Sequence, residues 1–370
     1  DTVSLADGVF TGPGNRELDY LGKAIVVRGM SDDPAVCVID CGGSEDEPHR
    51  GLRFTTGEGT TAVLRGVTIR GGWQSGDGGA VYLRSTSPTF VNCVFADNLA
   101  YFGGAMTVRD GAQPLLEDCL FVRNYANRGG GALHVVGEAS SLTVRGCTLA
   151  DHTARIYSGV IALFDGAEAA LERTIIAFST SGPAVYFDTD GTTTASATCS
   201  DLYGNPGGDW TGPLAAQAGA DGNLSADPRF CRALSEEEPY ALMDSSPCAP
   251  TGAQACGLIG ARAAGCADPS AVAENVPAAP LITLRAHPNP FNPVTTLVFE
   301  LPRSGPVSLT IHDLRDRLVR TLVATVATAG PHEVVWRGAD DAGRPAASGV
   351  YVAVLETVAG RAATKLALVR

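Results

Sequence analysis

Charge is scarce in this 370-residue chain: Asp, Glu, Lys and Arg make up 18% of it, and they are unbalanced at a formal −13. Such an acidic chain repels phosphates, which excludes nucleic acid as a partner. Long apolar runs are absent too, none reaching 18 residues, so no segment reads as a membrane span. There is no Cys/His spacing suited to a metal, no Ser-His-Asp arrangement, and no Gly-rich loop between strand and helix as phosphate binding requires. The chain opens at Asp1 within strand-like sequence, without Met or a charged-then-apolar leader. The expectation is a mature or trimmed fragment whose signal peptide is absent.

What the chain has instead is repetition. Gly51-Leu-Arg-Phe54, Ala80-Val-Tyr-Leu83, Ala105-Met-Thr-Val108, Ala132-Leu-His-Val135, Val160-Ile-Ala-Leu163 and Ala184-Val-Tyr-Phe187 restate one another at spacings of 29, 25, 27, 28 and 24 residues. A second set keeps phase with it, its equivalent residues being Val67, Cys93, Cys119, Cys147 and Thr174. Both alternate with period two and are separated by Gly-rich corners such as Gly78-Gly79, Gly103-Gly104 and Gly129-Gly130-Gly131, with no helical pattern between them. A unit this short buries its apolar side only by stacking on its neighbours, which predicts parallel strands about 4.8 Å apart in successive coils.

The chain resembles the right-handed parallel β-helix (pectate lyase-like) superfamily. It is most similar to the repeats of chlamydial-type polymorphic outer-membrane proteins, through Gly79-Ala-Val81, Gly104-Ala-Met106, Gly131-Ala-Leu133, Phe95-Ala-Asp-Asn98 and Phe121-Val-Arg-Asn124. The next coils depart from that pattern, with Leu149 and His152, then Ile176 and Ser179, replacing Phe and Asn. The expected fold is all-β: a β-helix of about seven coils over residues 1–205. After it the repeat fades, and residues 206–266 resemble the closing coil of such solenoids. Residues 267–280, rich in Ala and Pro, read as a linker. Short alternating runs over 281–370 then predict a small antiparallel β-sandwich. Its His287-Pro-Asn-Pro-Phe-Asn-Pro293, Ile311-His-Asp-Leu-Arg315, Trp336-Arg-Gly-Ala-Asp-Asp-Ala-Gly343 and Ser348-Gly-Val-Tyr351 resemble the Ig-like domain of the flagellar hook-capping (FlgD) type, which is similar to the type IX secretion signal domain. Arg337 departs from the Asp usual after that Trp. The resemblance implies display, export or outer-membrane attachment through this domain, not catalysis.

Ten cysteines favour an oxidising compartment and an extracellular or bacterial cell-surface location. Cys93, Cys119 and Cys147 hold one position in three successive coils. Parallel Cβ vectors about 4.8 Å apart suit a bridge poorly, so these read as a ladder of buried free thiols. Cys231, Cys248, Cys256 and Cys266 crowd a loop-rich segment and are expected to form two disulfides of undetermined connectivity; Cys37, Cys41 and Cys199 remain.

In the first strand set the inward residues, from Leu52/Phe54 to Val185/Phe187, are all apolar. Alternation then turns Tyr82, Arg84, Thr107, Arg109, His134, Tyr186 and Asp188 outward onto one exposed sheet. Aromatic rings beside guanidinium groups can stack on sugars and pair with carboxylates, so these residues are the candidate ligand surface. No catalytic residue stands out. Lyases need Ca²⁺-binding carboxylates beside a base and inverting hydrolases need paired acids, but Asp77, Asp97, Asp110, Asp118, Asp151 and Asp165 fall mainly at corners and turns, where Asp hydrogen-bonds locally. His152 belongs to a corner series with Asn98 and Asn124 that reads as a hydrogen-bonding ladder. The leading expectation is non-catalytic recognition or adhesion directed at a polysaccharide or cell-surface glycan, with no cofactor. The alternative is a polysaccharide lyase or hydrolase, the only case calling for Ca²⁺. A third is a structural stalk.

Overall fold

The computed structural model describes residues 1–157, 159–232, 240–253, 255–267, 284–301, 304–313, 317–357 and 360–369. The chain divides into two compact units, Asp1–Asp268 and Pro269–Arg370. The segment 267–280 read as a linker lies, apart from Ala267, outside the described residues.

The first unit is a parallel β-solenoid. Each full coil visits a side sheet (eight strands, from Thr2–Leu5 to Thr194–Thr198), a back sheet (eight, from Gly8–Phe10 to Asp201–Tyr203) and a front sheet (seven, from Leu18–Asp19 to Val185–Phe187). Four coils add a flanking strand just before the front strand: Trp73–Asp77, Leu99–Phe102, Tyr125–Gly129 and Thr153–Ala154. A parallel bridge from Asp201 to Leu224 extends the back sheet once more, giving about nine turns. The sequence count of about seven fell short because Thr2–Leu5 and Val26–Gly29 pair in register without any Gly-Gly-Ala signature.

Alternation fixes the interior. Leu52, Phe54, Val81, Leu83, Met106, Val108, Leu133, Val135, Ile161 and Leu163 are at most 1% exposed and join one continuous core. Phe54, Phe90, Phe95 and Phe121 run through it with ring centroids 5.8, 5.8 and 4.6 Å apart. Cys93, Cys119 and Cys147 lie in the same core as free thiols, each bonded to backbone carbonyls. The corners require left-handed backbone, so Asn92, Asp97, Asp110, Asp118, Asp151 and Asp165 all have φ between 47° and 59°. Asn and Asp tolerate that region, which explains why the acids of this chain gather there.

The segment read as an end cap does two different things. Residues Gly212–Gln217 form a 3₁₀ turn that seats Leu214 in the core after the last coil. Beyond Leu224 the chain doubles back over the outer side of the back sheet. There Phe230, Tyr240, Leu242, Ala249 and Ile259 cover Ala96, Leu120, Val122, Ala150, Ile175 and Ala177. Disulfides Cys231–Cys266 and Cys199–Cys256 tie this cover, with Cα separations of 6.0 and 5.5 Å. The expected set was therefore wrong in one member. Cys248 is a buried free thiol, because it faces the Asp201 carboxylate at 3.1 Å, while the corner holding Cys199 meets Cys256.

The second unit is a sandwich of two antiparallel sheets. One comprises Leu284–His287, Thr295–Leu301 and Gly330–Trp336; the other comprises Leu318–Ala327, Gly305–Asp313, Gly349–Thr357 and Gly360–Leu368. Trp336 is fully buried between Phe291 and Tyr351, and its Nε1 donates to the Ala339 carbonyl at 3.0 Å. The Asp340 to Gly343 turn closes by a Gly343 N–H to Asp340 carbonyl bond, and Arg337 is exposed beside it.

Candidate functional site

The front sheet presents two outward columns. Arg53, Tyr82, Thr107, His134, Ala162 and Tyr186 are register partners in one; Arg84, Arg109, Val136 and Phe164 are partners in the other. What lies over these columns depends on the flanking sheet. The first three flanking strands are each followed by a glycine, with φ of +62° (Gly78), +61° (Gly103) and +68° (Gly130). A Cβ there would sit 2.2 Å from the carbonyl oxygen of Val81, Met106 or Leu133, so only glycine lets the chain reverse this tightly.

The reversal folds the preceding residue over the outward column of the next coil. Those preceding residues, Asp77, Phe102, Gly129 and Tyr157, are themselves in register. Asp77 meets Arg109 at 2.8 Å, the Phe102 ring stacks 4.6 Å from His134, and Tyr157 packs against Phe164 and Tyr186 at 5.3 and 5.6 Å.

This roof corrects two expected surface residues. Thr107 is fully buried, its hydroxyl donating to the Phe102 carbonyl at 3.0 Å, and His134 is only 5% exposed. Burial, with the nearby Arg109 charge, lowers the His134 pKa to about 3. The imidazole is thus neutral at any physiological pH, and its Nδ1 has no partner among the described residues. It packs in a ring stack between Phe102 and Phe164. Tyr186 remains partly exposed, with its phenol pKa raised by burial and by neighbouring Tyr157 and Asp188.

The C-terminal half of the front surface is consequently aromatic. Tyr101, Phe102, His134, Phe164 and Tyr186 form an unbroken run with centroid separations of 5.1, 4.6, 5.3 and 5.5 Å, and Tyr157 closes it. The Arg128 guanidinium lies 5.9 Å from the Tyr101 ring and 5.4 Å from the Tyr157 ring, and donates to both hydroxyls at 2.9 and 3.5 Å. Tyr101 is 36% and Ile156 57% exposed. Sequence reasoning missed Tyr101, Phe102, Arg128 and Tyr157, although Tyr101-Phe102 stands directly before a Gly-Gly pair.

The N-terminal half is charged. Glu17, Arg50, Arg53, Thr55, Asp77, Tyr82 and Arg84 line a cleft of about 360 Å³. Arg50 lies over the Tyr82 ring at 5.2 Å and donates to the Asp77 carbonyl at 2.9 Å. Beyond the opposite end, carboxylate oxygens of Asp165, Asp188 and Asp190 approach within 4.8 Å of one another. Part of their accepting capacity is taken up by local turn bonds. Asp188 accepts from Asp165 N–H and Thr193 Oγ1, Asp190 from Thr192, and none of the three pairs with Lys or Arg among the described residues. Asp188 is raised by burial and by Asp190, consistent with two turn acids sharing a crowded place.

The corner ladder is structural. Asn98 N–H donates to Asn124 Oδ1 at 3.0 Å, and Asn124 N–H donates to His152 Nδ1 at 3.1 Å, so Nε2 carries the proton given to the Phe121 carbonyl. Burial lowers the His152 pKa to about 4.

Comparison with known proteins bears on the second unit. No curated protein matches the chain. Among solved structures, PorZ, a surface component of the type-IX secretion system of Porphyromonas gingivalis, aligns at 22% identity over 24% of this chain. The alignment spans only 11% of PorZ, with a TM-score of 0.18, too low to carry structural weight. Among the described residues no helix is long and apolar enough to cross a membrane. Residues 292–360, which span most of the two sheets of the second unit, match the FlgD Ig-like domain.

Proposed function

We propose that this is an exported bacterial surface protein whose solenoid recognises a glycan along its front sheet, without catalysis. The observation that carries the reading is the run of rings from Tyr101 to Tyr186, partly open to solvent and held rigidly by the flanking roof. Sugar rings stack on such platforms because their C–H faces are apolar, and preorganised aromatic anchors lose little entropy on binding. Tyr82 and Tyr186, the partly exposed ends of this column, stand four strand spacings or roughly 19 Å apart, a length that an extended oligosaccharide can span across the roof. Two disulfides fit an oxidising compartment, and the FlgD Ig-like match supports a role in export or attachment for the second unit.

The pectate lyase-like alternative rests on the Asp165, Asp188 and Asp190 group. A glycan array run beside a turnover assay separates the readings. Recognition predicts retained glycan without cleavage, a lyase predicts an unsaturated uronide absorbing in the near ultraviolet, and a bare stalk predicts neither.

A further inference from the structure

The cleft at the charged end of the front surface contains more positive charge than it answers. Three guanidinium groups line it against two carboxylates, in a chain whose formal charge is −13. Nearly every one of those charges is engaged. Glu17 accepts from the Arg50 backbone N–H at 2.8 Å and lies 3.8 Å from its Nε, while Asp77 takes Arg109. Arg53 pairs with Asp19 at 3.2 Å, and Arg50 is pinned over Tyr82. Arg84 alone among the lining cations is exposed and without an ion pair among the described residues. Its register partners continue through Arg109 and Val136 to Phe164, three strand spacings away, or about 14 Å.

Resting on the reading of the front sheet as a glycan surface, we infer that the chain it recognises is anionic, with a carboxylate or sulfate held by Arg84 in this cleft while sugar rings stack on the aromatic half. A guanidinium binds either group through paired N–H donors, and the neighbouring Arg50 and Arg53 are held by their own partners, which leaves Arg84 to meet the ligand. Thr55 adds a hydroxyl at the rim.

The test is titration calorimetry on the full chain with three probes of matched length: a polygalacturonate oligomer, a sulfated glucan oligomer and a neutral glucan oligomer. Arg84→Gln is read alongside, at low and high salt. The expected result is tighter binding of an acidic probe, weakened by salt and reduced about tenfold in Arg84→Gln, with neutral binding unchanged by that substitution. A preference for one acidic probe over the other assigns the group as carboxylate or sulfate. Equal affinity for acidic and neutral probes overturns the inference and leaves the glycan reading standing. So does an acidic preference that survives Arg84→Gln, because the cleft would not be its source. If no probe binds, the glycan reading itself fails, and the inference with it.

Discussion

The back and front of the solenoid both turn apolar side chains outward, and the chain treats them in opposite ways. On the back, Ala96, Leu120, Val122, Ala150, Ile175 and Ala177 lie under the segment that follows Leu224, which is tied down by two disulfides. Ion pairs such as Arg123–Asp97 and Arg232–Asp151 rim that cover but contribute little, since exposed pairs are worth about 0–1 kcal/mol each. On the front, no such segment follows among the described residues of the first unit. Tyr101, Ile156, Tyr157, Phe164 and Tyr186 keep contact with solvent although the roof of the flanking sheet is close enough to bury His134 completely from water's reach at its ring nitrogen. One apolar surface belongs to folding; the other stays partly open to solvent.

Breaking the back cover should have the largest effect. Ile259 is fully buried, so Ile259→Asp places an unpaired charge against the back sheet and should cost on the order of 4 kcal/mol, read as a collapse of thermal stability with dye-binding apolar surface exposed. An unchanged melting curve would show that the cover is not needed.

Removing the Cys199–Cys256 bridge by a double Ser substitution should lower stability by about 3 kcal/mol, the loop between them being 57 residues. The same bonds can be read by mass spectrometry. Alkylation under denaturing, non-reducing conditions should label Cys37, Cys41, Cys93, Cys119, Cys147 and Cys248, and leave Cys199, Cys231, Cys256 and Cys266 unlabelled until reductant is added.

A pH dependence should also reside in the back cover. Asp201, in the last back strand, is fully buried and accepts from Ala226 N–H and the Cys248 thiol; burial raises its pKa to about 6. The folded state then holds this proton more tightly than the unfolded state, so stability falls as pH rises from about 4 to about 6, by on the order of 3 kcal/mol. Asp201→Asn should flatten that slope in denaturant melts taken across the window, and an unaltered slope would assign it to other groups.

The smallest effect is expected on the front. Tyr186→Ala removes a half-exposed ring and should cost only about 1 kcal/mol, well below the loss at Ile259. A loss comparable with that of Ile259→Asp would make the aromatic run part of the fold's support.

The interior was legible because period-two alternation leaves no ambiguity: the apolar rows from Leu52 to Leu163 are all buried. The roof was not legible, because Leu99-Ala-Tyr-Phe102 and its equivalents pack over the front strands and lie outside the apolar interior. Their burial depends on glycine reversals whose consequence is spatial, so Thr107 and His134 looked outward and free. The disulfides were half legible for a similar reason. Composition located the loop-rich segment, but only the folded corner brings Cys199 to Cys256 and leaves Cys248 opposite Asp201. Likewise the apolar outer residues of the back sheet, Ala96 and Val122 among them, are small enough to read as tolerable surface, so their cover was taken for an end cap.

The most direct measurement compares glycan binding by three proteins on one array: the parent, a front variant carrying Tyr157→Ala with Tyr186→Ala, and a back variant carrying Arg123→Gln. The account predicts that the front variant loses binding while its melting temperature moves by only a few degrees, and that the back variant binds as the parent does. Undiminished binding by the front variant would contradict the account, and the aromatic run would then be an unused surface of the sheet.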